Sequence, residues 1–154
     1  MDLYNFAIQN RELLRMFYTL IVGVICFVIV IKTNRLFKLS LHQGIRYFRN
    51  AFFFYGLAFI TRWFLGTEYI FGSLKLIQAS AMKIIFEFFL IMAGFFLLYS
   101  LLWKKLEVEK GSFSSLFNPR IILFYALAFI IALLDYLWKT YYFMFGSQII
   151  LFIY

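Results

Sequence analysis

Cysteine, histidine and proline each occur once in this 154-residue sequence, and seven acidic residues stand against fifteen basic ones. A single cysteine, Cys26, cannot close a disulfide within one chain and has no metal-ligand spacing around it. It lies inside an apolar run and reads as a small lipid- or helix-facing side chain. A single histidine, His42, excludes haem held between helix-borne histidines and any multi-histidine metal site. It falls in a basic stretch and reads as a loop or lipid-headgroup residue. No phosphate-binding glycine loop, HExxH or GxSxG spacing occurs. The expectation is therefore a chain with no cofactor, no metal and no enzymatic activity.

Charge is scarce as well. Charged residues make up 14% of the sequence and hydrophobic ones 65%, with 24% aromatic, against about 25% charged and about 45–50% apolar in a soluble domain. A chain this short has too little interior to hide so much apolar surface from water. Lipid as solvent removes the difficulty, so the class is a polytopic membrane protein. The net charge of +8 argues for no nucleic-acid partner, because the basic residues flank apolar segments, as membrane topology requires.

Four stretches are long enough to span. Residues 47–65, YFRNAFFFYGLAFITRWFL, would extend about 28 Å as a helix, close to a hydrocarbon core of about 30 Å. Residues 13–31 come earlier, bounded by Arg11 and Arg15 and by Lys32, Arg35 and Lys38. That run exceeds a signal peptide's apolar core and lacks a cleavage site. Residues 82–103 and 121–138 supply the other two. Between them, 32–46 reads as a polar, basic linker in which Ser40 could cap the next helix. Gly66 reads as a break, and 67–80 as an interfacial loop with a turn or two. Residues 106–119 are the most soluble-looking stretch. The final fifteen, 140–154, read as interfacial or as the lead-in to a fifth helix. The expected fold is all-α, a single transmembrane domain over 1–154 with four spans and the start of a possible fifth.

FYGLAFI at 54–60 returns as FYALAFI at 124–130, and the Phe-Gly-Ser at 71–73 returns at 145–147. Both copies would enter the membrane from the same side, which makes a parallel repeat of a two-helix unit. Nine basic residues fall in the linkers 32–49 and 104–120, and six on the other side. The positive-inside bias then places the N-terminus outside, and the location expected is the plasma membrane of a prokaryote.

Ionisable side chains inside spans cost about 2.5–3.5 kcal/mol each on insertion scales, so Arg62, Glu87 and Asp135 are the candidate site residues. Arg62 could snorkel, and Asp135 has Lys139 at i+4. Glu87 lies deepest with a poor local partner, and must pair with a cation or hold a proton. The sharper expectation is an Arg62–Glu87–Asp135 polar layer joining three spans. At the opposite end Arg35, Lys38, Arg46 and Arg49 are candidate contacts to anionic lipid. No GxxxG occurs, although Gly23, Gly56 and Gly94 could each permit close helix contact. The functional expectation is a non-enzymatic membrane module, a sensor input or a scaffold subunit. Its partners would be membrane lipids and a homo- or hetero-oligomer formed through its helices. A small-solute or ion transporter using the polar layer is the alternative.

Overall fold

The computed structural model describes residues 11–40, 42–71, 76–106, 119–138 and 141–153. These form five α-helices: α1 (Arg11–Ser40), α2 (Gln43–Phe71), α3 (Leu76–Leu106), α4 (Pro119–Trp138) and α5 (Tyr142–Ile153). Three are long and apolar enough to cross a membrane, in the stretches Leu13–Ser40, Ser80–Leu102 and Ile121–Trp138, which suggests a membrane protein. The expected 47–65 segment lies within α2, whose lower hydropathy comes from Arg49, Asn50 and Arg62.

Each helix lies antiparallel to the one before it. Gly56 of α2 meets Phe27 of α1 and Gly66 meets Met16, so position falls along α1 as it rises along α2. Tyr47 meets Tyr99 and Phe54 meets Phe96 across α2 and α3, and Arg62 lies over Phe86. Across α3 and α4, Phe95 stacks on Phe124 and Phe88 on Tyr125. Among the described residues α1 packs on α2 alone, α2 on α1 and α3, and α5 on both α3 and α4. The α1–α2 turn, the end of α3 near Ser100 and the start of α4 therefore share one end of the bundle. The α4–α5 junction lies at the other.

The core follows the helical period. On α2 the core positions include Tyr47, Ala51, Phe54 and Ala58, and on α4 Ile121, Ala128, Ala132 and Asp135 are buried, each set one stripe of a 3.6-residue repeat. Between them α3 buries Ile91, Met92, Ala93, Phe96 and Tyr99. The Phe54–Phe96 pair is stacked with centroids 5.3 Å apart. On α1 the stripe facing α2 is small: Thr19, Gly23, Cys26 and Thr33. Small residues let helix backbones approach where apolar burial from water cannot drive association. The opposite face of α1 exposes Phe17, Ile21, Val24, Val28 and Ile31.

Several boundaries differ from the sequence reading. Helix α1 runs on through most of the expected 32–46 linker, because nothing there breaks a helix and Lys38 in its last turn favours the helix dipole. Ser40 is thus the last residue of α1 rather than the cap of α2. Its hydroxyl donates to the Leu36 carbonyl at 3.0 Å and meets only the His42 N–H, at 3.5 Å. Gly66 does not break α2, which continues to Phe71. A Cβ on Gly66 would come within 2.9 Å of Met16 Cγ, so this glycine makes room for a neighbouring helix. Most of the expected 67–80 loop is accordingly the end of α2 and the start of α3. Pro119 opens α4, where its missing N–H costs nothing. The Phe-Gly-Ser of the second copy lies inside α5, and residues 72 and 73 of the first copy lie outside the described residues, as do 107–118.

Candidate functional site where α3, α4 and α5 meet

Asp135 occupies the last turn of α4, on the stripe that faces α3, and is 1% exposed. Its Oδ1 accepts the Phe143 N–H at 3.0 Å and its Oδ2 the Met144 N–H at 2.7 Å. These are the second and third N–H groups of α5, two of the four orphan donors that every helix start leaves. The residue in the N-cap position is Tyr141, whose carbonyl accepts the first intrahelical bond, from Phe145, but whose side chain cannot reach back to cap. The carboxylate of the preceding helix does that work. Its charge also favours the positive end of the α5 dipole. Trp138 packs edge-on against Phe143 across the same junction.

Glu87 projects from α3 at this level and is 4% exposed. Its Oε2 is fully buried with no hydrogen-bond partner among the described residues. Asp135 and Lys83 both lie within electrostatic range of it. One turn along α3, the Leu90 carbonyl accepts the Gln148 side-chain amide of α5 at 3.4 Å. Three helices thus bring two carboxylates, a primary amide and a helix N-terminus together.

Arg62 of α2 is held by a ring of α3. Its guanidinium lies 5.2 Å from the Phe86 ring centre, a cation–π contact. Of the three residues expected to form a layer, Glu87 and Asp135 lie within electrostatic range of each other, while Arg62 lies over a ring. Lys139, the i+4 partner expected for Asp135, lies outside the described residues. The role of Asp135 as a cap from eight residues away was missed at the sequence level. Its one signal was the lack of any Ser, Asp or Asn at 141, just before an apolar helix.

At the far end, Arg49 donates to Asn34 Oδ1 at 2.8 Å and to Asn50 Oδ1 at 3.2 Å, with Phe37 5.9 Å away. It ties α2 to α1. Arg35 and Lys38 are exposed and Arg46 half-buried. His42 is exposed at the turn. Cys26 is buried against the neighbouring helix. Gly23 faces Phe59 of α2 at ordinary contact distance, and a Cβ on Gly56 would come 3.1 Å from the Phe27 ring.

No protein-family model and no solved structure matches the chain. Among curated proteins it is similar to an uncharacterized protein of Archaeoglobus fulgidus, 30% identical over 102 residues. That match takes in 61% of this chain and 45% of the relative, so the chain spans less than half of the relative's length.

Proposed function

We propose that the chain is a non-enzymatic multi-pass membrane module, a sensor input or scaffold subunit, in which α2 is a fourth span. The observation that carries this reading is the apolar centre of the bundle. Ala58, Ile91, Met92 and Ala128, near the middles of their helices, are fully buried among apolar neighbours, and the clustered polar side chains lie toward the two ends. A path for a solute needs a line of polar groups at mid-depth, and among the described residues the amide that reaches this level, Gln148, is bonded to the Leu90 carbonyl. Helix α2 would be about 44 Å long and is held between α1 and α3, so its ends reach the levels of theirs. Its polar side chains need not face lipid: Arg49 bonds to asparagines, and the Thr61 hydroxyl donates to the Leu57 carbonyl at 2.9 Å.

A parallel two-helix repeat fits the same arrangement. Helices α2 and α4 both run antiparallel to α3 and hence parallel to each other, and the matched alanines Ala58 and Ala128 are both fully buried. The one mismatch in the seven-residue block, Gly56 against Ala126, falls where α1 crowds α2 but leaves α4 open. The unpartnered oxygen of Glu87 favours a second reading, in which that end of the bundle passes protons or small cations. Proteoliposomes separate the two. On the module reading, vesicles carrying the protein hold proton and potassium gradients as long as protein-free vesicles do. A leak abolished by Glu87→Gln replaces that reading with transport.

A further inference from the structure

We propose that the junction of α3, α4 and α5 binds one monovalent metal cation, between the carboxylates of Glu87 and Asp135 and with the Gln148 amide on its inner side. The inference rests on the module reading and deepens it, since it names the ligand class that a sensor input built this way would hold. The observation behind it is a carboxylate oxygen with nothing to bond. Glu87 is 4% exposed, and its Oε2 is fully buried with no hydrogen-bond partner among the described residues. A buried acceptor left unmatched is costly, and more so when it is charged. A positive charge at that oxygen removes the cost.

The described neighbours do not supply that charge. Asp135 lies within electrostatic range and adds a second carboxylate. The start of α5 returns about half an elementary charge, and the Phe143 and Met144 N–H groups that carry it are bonded to Asp135. Helix α5 has no charged side chain. Lys83 is the basic group in range of Glu87. It is exposed and stands one turn earlier, in the basic-first order that makes the weaker helix pair. On α2, Arg62 lies over the Phe86 ring, and Lys139 lies outside the described residues. Two carboxylates, offset by a helix start and an exposed lysine, leave about one negative charge, which a monovalent ion balances and a divalent ion overshoots.

The donors are all oxygen, which suits a hard cation. A carboxylate has about four acceptor sites, of which Asp135 spends two on α5. Gln148 spends its amide N–H on the Leu90 carbonyl at 3.4 Å, which leaves the amide oxygen as a third donor. Asp135 is in the last turn of α4, so an ion reaches the pair from that end of the bundle. Farther in, Ile91, Met92 and Ala128 are apolar and fully buried, so the ion is held there and does not pass through.

The test compares thermal unfolding of the full chain in neutral detergent, in sodium chloride and in choline chloride of equal ionic strength, followed by circular dichroism. Sodium at roughly ten times its dissociation constant should raise the midpoint by about 3–6 °C. Glu87→Gln should lose that rise while unfolding no earlier than the parent in choline. Gln148→Leu should increase the sodium concentration that gives half the rise. Equal parent midpoints in the two salts overturn the proposal, and an infrared carboxylic-acid band that Glu87→Gln removes would then identify a proton as the occupant. An undiminished rise in Glu87→Gln also overturns it, because the ion then sits elsewhere. So does a rise that appears only in Arg62→Gln or Lys139→Gln, which makes that side chain the counter-charge. A larger rise with calcium chloride at the same ionic strength overturns the monovalent assignment. The module reading fails separately, through the vesicle leak, which this equilibrium measurement does not read.

Discussion

Two buried carboxylates a helix apart are expected to respond to mutation with opposite signs. Asp135 satisfies two N–H groups at the start of α5, so Asp135→Ala should lower stability by about 1–2 kcal/mol, the range for a lost cap. Asp135→Asn keeps one acceptor and should cost less. Glu87 leaves Oε2 without a partner among the described residues, and replacing such a group by an apolar one of similar shape is neutral or stabilising. Glu87→Met should therefore hold or raise the midpoint of thermal unfolding in sodium-free detergent, followed by circular dichroism; a fall as large as that of Asp135→Ala would mean that Glu87 makes a bond its surroundings do not display. Arg62 belongs to the same experiment. Because it lies over Phe86, Arg62→Ala and Glu87→Met should add within about 0.5 kcal/mol. Strong coupling between them would instead restore an ion pair across α2 and α3. The place of all three side chains within long apolar helices was legible from sequence, since it needs only their position in an apolar run. Their partners were not, because a contact between α3 and α4 depends on how each helix is rotated.

The same limit shows at the level of whole helices. The 121–138 segment was legible to within two residues at its start and to the residue at its end, because an apolar run fills it. The reach of α1 and α2 beyond their apolar runs was not legible. Polar composition marks where lipid ends, and hydrogen bonding carries a helix further. Gly66 was the most misleading signal, since its meaning depends on Met16, a surface dozens of residues away, whereas Gly56 makes the close helix contact expected of it, with Phe27. The matched positions of the two FY-x-LAFI blocks make this testable. Gly56→Leu should destabilise the α1–α2 hairpin by about 1–3 kcal/mol, as overpacking does. Ala126→Leu, at an exposed position, should stay within about 0.5 kcal/mol of the parent. Equal costs at both sites would show that the Phe27 ring simply swings aside.

For the molecule as a whole, the proposed four spans would put the α1–α2 turn and the start of α5 on opposite sides of the membrane. In a Cys26→Ala background, His42→Cys and Tyr142→Cys should react with a membrane-impermeant maleimide from opposite faces. With the N-terminus outside, Tyr142→Cys should be the one labelled on intact cells. Labelling of both from one face would remove either a span or the antiparallel order. Membrane class was legible from composition alone, whereas the order of packing was not. That order, in which among the described residues α1 touches only α2 and each later helix adds to the one before it, bears on biogenesis. Contacts close in sequence form early and fast. The α1–α2 hairpin can finish its packing while α3 is still being translated, and α3 and α4 can then lie down in turn. Helix α5 is the exception: it must reach back past α4 to the Leu90 carbonyl of α3 while Asp135 holds its first turn. Its docking is the one step that waits for two earlier helices, which makes it the natural checkpoint on whether the bundle has been assembled correctly.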